Sequence, residues 1–427
     1  MASEVATVQL GELVDNLDSR RVPLSSLERN QRRGRYPYYG ATGVIDWVDG
    51  YLFEGLHLLV AEDGSVERPD GKPFVQLVTG RFWVNNHAHV LRGATDDETR
   101  FLYYALQTVA IRSFMSGSVQ AKLSQASLNR IPVPYPHNPA HRRAIAHILG
   151  TLDDKIELNR RMAHTLEEMA RALFKSWFVD FEPVRAKMDG RWRPGESLPA
   201  LPAQLYDLFP DHLVDSEIGP IPEGWKVGTL SDMATQLRKN VNPLGSPEAM
   251  FSHFSIPSYD SGQWPALDVG ANIKSCKSLV PPGVVLLSKL NPEIERVWLV
   301  DVQPDDSAVC STEFMVLCPR APYGRSYLYC LARSTSLRQQ LEGLVTGTSK
   351  SHQRAQASAV LKLAVVRPPD FLIRRFEGVA EELLSRALGR RRELRTLAAL
   401  RDPLLPKLIS GELRVKDAER FLGRASA

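Results

Sequence analysis

The stretch HNPAHRRAIAHILGTLDDKIELNRRMAHTLEEMARALFKSWFV, residues 137–179, decides the fold of this 427-residue chain. Asn138 suits a helix N-cap, and Pro139 stands at the first helical position, where its missing N–H costs nothing. Alternating steps of four and three then connect Ile145, Leu149, Leu152, Ile156, Asn159, Ala163, Leu166, Ala170, Leu173 and Trp177. This heptad seam predicts one amphipathic helix, from about Asn138 to Val179, that packs lengthwise on another long helix. At 1.5 Å per residue it would be roughly 60 Å long, which is typical of a spacer.

The composition indicates a globular protein with two or three domains. Hydrophobic residues make up 43% of the chain, and no apolar run approaches the length that spans a membrane. The first residues, MASEVATVQLGEL, have neither the basic start nor the apolar core of a secretory signal. We therefore expect a cytoplasmic protein with no membrane partner. A net charge of +4 and a sequence pI near 8.8 are compatible with a nucleic-acid partner but do not identify one.

The four cysteines lie in the second half of the chain and never form a C-x-x-C pair. They are Cys276, Cys310, Cys318 and Cys330. This spacing predicts buried thiols in a reducing compartment rather than a disulfide framework or a zinc site.

The block before the long helix, residues 1–137, reads as an α+β domain with mostly antiparallel or mixed strands. Turn signals separate strand-like runs at His57–Ala61, Phe74–Val78, Phe82–Leu91 and Ile131–Tyr135. Between the last two runs, FLYYALQTVAIRSF predicts a helix with Asp96 or Asp97 as its cap and Gly117 as its stop. Beyond the long helix, assigned to residues 138–186, the stretch 187–221 is rich in Pro, Gly and charge, which predicts a linker.

The block 222–368 repeats the first block, and this is the most informative pattern in the sequence. VNNHAHVL at 84–91 matches CSTEFMVL at 310–317, and FLY at 101–103 matches YLY at 327–329, both with an offset of 226. QAS at 125–127 recurs at 356–358 with an offset of 231, and Gly117 is answered by Gly347. The offset of 231 also aligns Arg160-Arg161, Thr165-Leu166, Met169 and Leu173 with Arg391-Arg392, Thr396-Leu397, Leu400 and Leu404. The sequence therefore predicts two copies of a domain-plus-helix unit.

A second long helix is predicted in residues 369–427, with Asp370 as its cap. Its seam is Ile373, Phe376, Ala380, Leu383, Ala387, Arg390, Leu394 and Leu397. Since Pro403 would end or kink it, we expect about 30 residues, or roughly 45 Å. Asn159 and Arg390 occupy corresponding seam positions, where polar residues commonly fix register.

We expect the two helices to be antiparallel, because no long loop lets them run parallel within one unit. This places two similar globular domains at opposite ends, related by a pseudo-two-fold axis. The overall class is thus α+β, with two domains separated by a coiled coil. The alternative is that either helix belongs to an ordinary bundle core.

Five stretches resemble the DNA-specificity subunit of type I restriction–modification systems, and the resemblance covers essentially the whole chain. They are Tyr36–Gly55, Ser118–Pro134, Ile148–Val184, Ile218–Ala234 and Leu404–Val415. The resemblance implies two target recognition domains, each contacting one part of an asymmetric split site in double-stranded DNA. It also implies docking of two methyltransferase (modification) subunits and, in the full complex, of restriction-translocase subunits. Catalysis, together with S-adenosylmethionine, ATP and Mg, would belong to those partners, so that this chain needs no cofactor.

The residues themselves also argue against catalysis by this chain. The Asn-Pro pairs read NPAH, NPLG and NPEI, and none forms the N-P-P-Y or D-P-P-Y motif of an amino-methyltransferase. The stretch Gly343–Ser351 resembles a phosphate-binding loop but lacks the Gly immediately before Lys350. His87 and His89 could be taken for a metal pair, but spacing suggests no third ligand. We predict strand histidines and no metal site.

DNA binding needs cations and small polar groups on exposed loops. The first-block candidates are Arg32, Arg33, Arg35, Ser118, Gln120 and Lys122. The second-block candidates are Arg238, Lys239, Asn240, Lys289, Asn291, Thr348, Ser349, Lys350, His352 and Arg354. For each of them the alternative is a solvated surface charge. The loops after Gly117 and Gly347 are favoured because both copies keep a polar, Lys-bearing loop there, whereas Tyr36, Tyr38 and Tyr39 are predicted to pack.

Three functions follow from these patterns. The first is a non-catalytic subunit that reads a bipartite DNA site and directs methylation and restriction by its partners. The second is a non-catalytic coiled-coil adaptor without a nucleic-acid role. The third is a stand-alone DNA-modifying enzyme, which the missing cofactor motifs disfavour.

Overall fold

A computed structural model describes residues 5–117, 121–304, 306–345, 353–418 and 420. Contacts divide the chain into two compact units. The first unit contains Met1–Asn159 and Arg392–Ala427, and the second contains Arg160–Arg391. Among the described helices, none is both long and apolar enough to cross a membrane.

The described part of the first unit contains ten strands and the helices that cover them. In chain order these elements are β1 (Val5–Gln9), β2 (Val14–Asn16), α1 (Ser26–Gln31), β3 (Arg33–Tyr39), β4 (Val44–Val48), β5 (Phe53–Glu54), β6 (His57–Ala61), β7 (Val75–Val78), β8 (Arg81–Val84), β9 (Ala88–Gly93), α2 (Asp96–Leu106), α3 (Gln125–Asn129), β10 (Pro132–Pro136) and α4 (Pro139–Phe178). The last helix continues into the second unit.

The second unit begins within α4 and ends within the other long helix. Its elements are α5 (Glu182–Met188), β11 (Leu213–Val214), β12 (Ile221–Pro222), β13 (Lys226–Thr229), α6 (Leu230–Met233), β14 (Ala234–Leu237), β15 (Asn240–Val241), β16 (Met250–Phe254), α7 (Ile256–Asp260), β17 (Ala266–Val269), β18 (Lys277–Leu279), β19 (Val285–Ser288), β20 (Val297–Leu299), β21 (Ala308–Cys310), β22 (Phe314–Pro319), α8 (Arg325–Ala332), α9 (Thr335–Gly343), α10 (Ala357–Val360), β23 (Ala364–Arg367) and α11 (Asp370–Ile409).

The two units share one strand topology. In the first, β1 pairs with β10, and an antiparallel sheet has the order β2-β9-β6-β7. In the second, β13 pairs with β23, and the matching sheet has the order β14-β22-β19-β20. Each unit has one further large sheet, β4-β3-β8-β5 or β15-β18-β21-β16-β17. Each of these places a parallel pair, β3 with β8 or β16 with β21, beside an antiparallel hairpin, and β11 pairs separately with β12. The predicted α+β class and internal repeat are confirmed.

The long helices pack antiparallel, as predicted. In the second unit Glu167 of α4 binds Arg391 of α11, whereas Phe174, further along α4, meets Phe376, earlier in α11, with ring centroids 5.6 Å apart. In the first unit Asp153 binds Arg401 at 2.7 Å. One apolar face of each helix packs against the globular part of each unit, where Leu149, Ala170, Phe376 and Leu384 are buried, and this burial stabilises helices that would be marginal in isolation.

Each long helix contains 40 residues. The prediction for α4 is confirmed, including its cap, since Asn138 Oδ1 accepts from the Ala140 N–H at 2.9 Å. For α11 the prediction of about 30 residues was wrong, because the helix continues through Pro403 to Ile409. The two prolines in this segment, Pro403 and Pro406, are exposed, so water can satisfy the carbonyls that they leave without donors, while Leu404 and Leu408 are buried.

Two predicted elements of the first unit need correction. The run 82–91 is not one strand: Asn85 Oδ1 accepts from the His87 N–H at 2.9 Å, and this turn separates β8 from β9. The helix α2 is capped by Thr95, whose Oγ1 accepts from the Glu98 N–H, rather than by an aspartate. It also ends at Leu106, eleven residues before Gly117, and the Thr108 hydroxyl donates to the carbonyl of Ala105 at its end.

The stretch 187–221 contributes to the hydrophobic core of the second unit. Trp192, Leu205 and Phe209 are buried there, and Phe209 meets Trp177 of α4 with ring centroids 5.3 Å apart. The segment whose Pro- and Gly-rich composition predicted a linker is therefore packed into the core.

The prediction of buried thiols holds for only part of the cysteine set. Cys310 and Cys330 are buried, whereas Cys318 is half-buried and Cys276 is exposed. The exposed thiol lies in the polar stretch KSCKS, immediately before β18.

Candidate nucleic-acid interface

In the first unit, the polar loop that follows Gly117 is closed at its base by Lys122. The backbones of Ser116 and Lys122 exchange two hydrogen bonds of 2.8 Å, and the next residue, Leu123, donates its N–H to the carbonyl of Glu62. The ammonium group of Lys122 lies 3.3 Å from the Glu62 carboxylate. Gly117 has φ +94°, a conformation that glycine adopts without strain, so it can start this loop.

A buried histidine supports the same loop from below. The ring of His89 contacts Asp18 Oδ2 through Nδ1 at 2.6 Å and the carbonyl of Leu123 through Nε2 at 2.8 Å. Arg21 binds Glu62 at 2.8 Å and Asp18 at 3.4 Å. Burial works to raise the pKa of the Asp18 carboxyl, but hydrogen bonds from His89 and the Val90 N–H outweigh it, so the pKa is lowered.

The second unit repeats this loop base with other residues. The N–H of Ala355 donates to the carbonyl of Lys289, and the N–H of Asn291 donates to the carbonyl of Gln353. Arg354 forms two hydrogen bonds with the carboxylate of Glu313, at 2.7 and 3.1 Å. Asn291 has φ +47°, which asparagine tolerates better than most residues, and its N–H thereby faces the returning strand.

Backbone contacts establish which residues correspond in the two units. Glu62 donates its N–H to the carbonyl of His87, and Lys289 donates its N–H to that of Glu313, both at 2.9 Å. Isolated bridges join Asp63 to Lys122 and Leu290 to Arg354. Therefore Glu62 corresponds to Lys289, His87 to Glu313 and Lys122 to Arg354. Both units place a cation at the loop base with a carboxylate beside it, although the carboxylate comes from different strands.

The other first-unit candidates surround the β3–β4 hairpin. Arg32 binds Asp49 at 2.9 Å and lies over the ring of Trp83. Arg33 donates to the side-chain oxygen of Asn30, and Arg35 donates to the hydroxyl of Tyr36. Within the described residues, neither Arg33 nor Arg35 forms an ion pair with a carboxylate.

An exposed stack of alternating cations and rings continues from Arg35. Its guanidinium lies 5.1 Å from the ring centroid of Tyr36, which is 5.1 Å from that of Tyr51, and Arg81 covers Tyr51 at 4.9 Å. The hydrogen bond from Arg35, assisted by Arg81, lowers the pKa of the Tyr36 hydroxyl. Tyr38, by contrast, is buried and accepts from the Leu24 N–H through its hydroxyl.

In the second unit, Arg238 and Lys239 connect β14 to β15, and Asn240 opens β15. Arg238 donates to Gln236, and the Lys239 carbonyl accepts from Leu279. Burial raises the pKa of the Cys310 thiol to about 12, and the positive charges of Lys277 and Lys289 oppose this effect. Lys277, which the sequence reasoning missed, lies next to Ser278, the strand partner of Cys310. The repeated lysines of KSCKS were the available signal.

Six predicted DNA contacts lie outside the described residues. They are Ser118, Gln120, Thr348, Ser349, Lys350 and His352. Their contribution to DNA binding stays a prediction, while the described ends of both loops are anchored as above.

A family described as the type I restriction modification DNA specificity domain matches residues 2–168. The type I restriction enzyme MjaIX specificity subunit of Methanocaldococcus jannaschii is 24% identical over 75% of this chain and 70% of its own length. The HindI specificity subunit of Haemophilus influenzae is 28% identical over 64% of this chain and 67% of its length. Residues 2–168 therefore match a type I restriction modification DNA specificity domain.

A putative specificity subunit of Haemophilus influenzae is 40% identical over 134 residues, which span 31% of this chain and 34% of that protein. Among solved structures, the S subunit of a type I restriction–modification system from M. genitalium shares the fold. It has a TM-score of 0.60 at 15% identity, covering 95% of this chain and 96% of that one.

The sequence did not reveal the groups that attach each domain to the helix pair. In the first unit, the Tyr104 hydroxyl donates to Asp153 at 2.7 Å, and Asp153 also binds Arg401. In the second unit, the Tyr329 hydroxyl donates to Glu167 at 2.6 Å, and Glu167 also binds Arg333 and Arg391. Each carboxylate sits one residue beyond a predicted seam position, Leu152 or Leu166, which was the available signal.

The predicted seam residues divide between two environments. Leu152, Ile156 and Asn159 are buried. The others, half-buried, are Leu166, Leu173, Leu383, Arg390, Leu394 and Leu397.

The two histidines considered as a metal pair, His87 and His89, lie in different environments. His87 is exposed and contacts Asp63 at 2.7 Å through Nδ1, whereas His89 is buried. Ligand atoms of Asp18, Glu62 and His89 do lie within 4.8 Å of one another. However, Arg21 and Lys122 already neutralise these carboxylates, and Leu123 occupies the remaining nitrogen of His89, so the arrangement is that of an ion-pair network.

Proposed function

We propose that this chain is a non-catalytic DNA-reading subunit, in which each unit recognises one part of a split, asymmetric site in double-stranded DNA. The observation that carries the proposal is the pair of equivalent loop bases, Lys122 with Glu62 and Arg354 with Glu313. Both place a cation at the end of a polar loop on the same sheet topology. Because the side chains around the two loops differ, the two halves of the site are expected to differ in sequence.

The catalytic partners are two methyltransferase subunits, joined by restriction-translocase subunits in the full complex. S-adenosylmethionine, ATP and Mg would bind to those partners. Exposed apolar side chains on the long helices support docking of other proteins: Met162 and Met169 lie one heptad apart on α4, and Phe371 and Val379 lie on α11. Each pair recurs at a spacing that keeps it on one helix face.

Methylation sequencing of a host with and without this gene tests the proposal. The expected result is a methylation motif with two short specific parts and a gap, present only with the gene. An unchanged methylation pattern, in a host whose methyltransferase subunit is functional, would contradict it.

Two other functions predict different behaviour. A coiled-coil adaptor without a nucleic-acid role would not give the assembled complex a steep salt dependence of binding to duplex DNA, because that slope reports phosphates neutralised by the protein. A stand-alone enzyme would modify DNA as the purified chain, without partner subunits.

A further inference from the structure

We propose that the β3–β4 hairpin of the first unit and the β16–β17 hairpin of the second are apolar DNA-contact elements, acting through Trp47 and Leu267. This proposal rests on the proposed function and specifies residues that read or shape DNA beyond the polar loops. Neither residue was among the candidates that the sequence suggested.

Both hairpins expose large apolar side chains. Trp47 is 53% exposed, as is its strand neighbour Ile45, and Val44 is 42% exposed. Leu267 is 59% exposed. Contiguous apolar side chains are costly to leave in water, and a cluster on one strand marks an interaction surface.

The second observation is that Trp47 and Leu267 hold the same place in the repeated fold. On the first hairpin Trp47 pairs with Pro37, one residue before Tyr38, which meets Trp83 of β8. On the second, Leu267 pairs with Ser252, one residue before His253, which pairs in parallel with Val309 of β21. Two diverged copies have therefore both kept a large apolar side chain exposed at this position.

The third observation is continuity with the loop base. A Cβ on Gly40 would come within 3.1 Å of Ile45 Cγ2 and within 3.7 Å of the Asn85 side-chain nitrogen. From the buried Asn85, contacts continue through His87 and Asp63 to Lys122. The hairpin end and the cationic loop base are thus joined by a short chain of contacts. The second unit repeats the link between strands, since Ser311 donates its N–H to Phe254 as Asn85 does to Tyr39.

Charge favours DNA over a protein as the occupant. Arg33 and Arg35, on the strand beside Trp47, donate hydrogen bonds only to neutral groups within the described residues, although Asp46 also attracts Arg33. Guanidinium groups of this kind are available to phosphate oxygens. Divergence argues in the same direction, because two identical methyltransferase subunits would require the same residue at both positions, whereas two different half-sites accept Trp in one copy and Leu in the other.

DNA offers two apolar targets for such side chains. One is the thymine methyl group at the edge of the major groove. The other is a base step in the minor groove, where apolar wedges partly unstack neighbouring bases. Both contacts bury carbon without displacing counterions, and this property gives the test its discriminating readout.

The experiment compares the assembled complex carrying Trp47→Ala with complexes carrying Leu27→Ala or Arg35→Ala. Leu27 is a matched control, since it is an exposed apolar residue on α1 of the same unit. The probe is a duplex with the bipartite site found by methylation sequencing. We expect Trp47→Ala to weaken binding roughly tenfold with an unchanged salt slope, Arg35→Ala to reduce the slope by about 1, and Leu27→Ala to change neither. Trp47→Phe should retain most of the affinity.

Equal affinity of the wild-type and Trp47→Ala complexes would overturn the inference. So would a loss of subunit assembly caused by Trp47→Ala, because this would make the hairpin a protein-docking surface. Leu267→Ala should impair only discrimination in the other half-site, and the same unfolding midpoint in both variants would exclude misfolding. If the wild-type complex itself binds the duplex no better than a scrambled one, the proposed function has failed, and this outcome is separate from failure of the hairpin proposal.

Discussion

Lys122 and Arg354 occupy one position of the repeated fold within different electrostatic surroundings. In the first unit the carboxylate comes from Glu62, beside β6, whereas in the second it comes from Glu313, beside β22. Both carboxylates are mostly buried and both cations are mostly exposed. Two independent routes to the same pair indicate that the pair is needed to hold the end of the loop.

Moving the carboxylate of the first unit to the position that it has in the second unit tests whether the ion pair is needed. Glu62→Gln should weaken DNA binding about threefold to tenfold and loosen the loop base, since a charge-assisted hydrogen bond contributes about 1.5–3 kcal/mol. The measurements are the affinity for the site and amide hydrogen exchange at Lys122 and Leu123. His87→Glu places a carboxylate where Glu313 stands in the second unit, so the double variant should recover part of the loss. Glu54→Gln, which removes an exposed pair with Arg81, is the control. Failure of the double variant to recover would contradict the equivalence.

Asp18 links the loop base to pH. Because the folded-state pKa of Asp18 is lower than its ordinary value of 3.8, ionised Asp18 stabilises the fold above that pH. The contribution is lost as the pH falls through the folded-state pKa. Asp18→Asn should therefore be less stable than the wild type at pH 7, and the difference should shrink below pH 4. Urea unfolding at pH 7, 5 and 3 measures it, and a difference independent of pH would count against this role.

From the sequence, the cations at the loop bases could be predicted, but the carboxylates that pair with them could not. Lys122 and Arg354 could be selected because repeats and turn signals place cations in loops. Their carboxylates could not, because Glu62 and Glu313 lie 60 and 41 residues away along the chain. Only strand pairing brings them close. Trp47 was not predicted as a DNA contact, because an aromatic residue in a strand usually indicates a core position.

At the scale of elements, the helix pair is held by charged groups as well as by its seam. Glu167 is buried and binds Arg333 and Arg391, and the hydroxyl of Tyr329 donates to it. Burial, reinforced by the negative charge of Glu167, raises the pKa of Tyr329 far above its ordinary range, so the hydroxyl stays protonated and remains a donor. A buried network of this kind fixes one register of two helices more strictly than leucines alone.

Removing one charge from this network should be costly. Glu167→Gln leaves Arg391 without its buried carboxylate and leaves Arg333 with Glu295 alone, and we expect the free energy of unfolding to fall by about 3 kcal/mol. Glu168→Gln, at the neighbouring exposed position paired with Arg171, should cost at most about 1 kcal/mol. Denaturant unfolding of both variants measures the contrast. Equal effects would mean that the network does not set the stability of the pair.

The two long helices were predictable because a helix depends on a local period. The existence, start and antiparallel sense of α4 and α11 follow from heptads, caps and the missing long loop. The length of α11 did not follow, because proline usually ends a helix unless its face is exposed. The attachment of each domain was also hidden, since Tyr104 and Tyr329 lie on helices whose period shows only that one face is apolar.

At the scale of the whole molecule, the repeat is what the sequence carries most clearly. Offsets of 226 and 231 residues predicted two copies, and their sheets have the same strand order. The copies differ where the proposed DNA contacts lie. The hairpin sheet of the second unit has an extra edge strand, β15, and the ion pair at the loop base is formed by different residues in the two units. A shared framework with divergent contact residues is what two different half-sites require.

Two such readers should act independently, and this can be measured. Lys122→Ala should relax discrimination against base changes in one half of the site, and Arg354→Ala in the other half only. Since the two residues belong to different compact units and share no described partner, their effects on binding free energy should add within about 0.5 kcal/mol in the double variant. Each should also reduce the salt slope by about 1 if its cation reaches a phosphate. The measurement is titration of the assembled complex against duplexes mutated in one half-site at a time. If either single variant relaxes both halves equally, each unit does not read its own half, and the bipartite assignment of the two units is wrong.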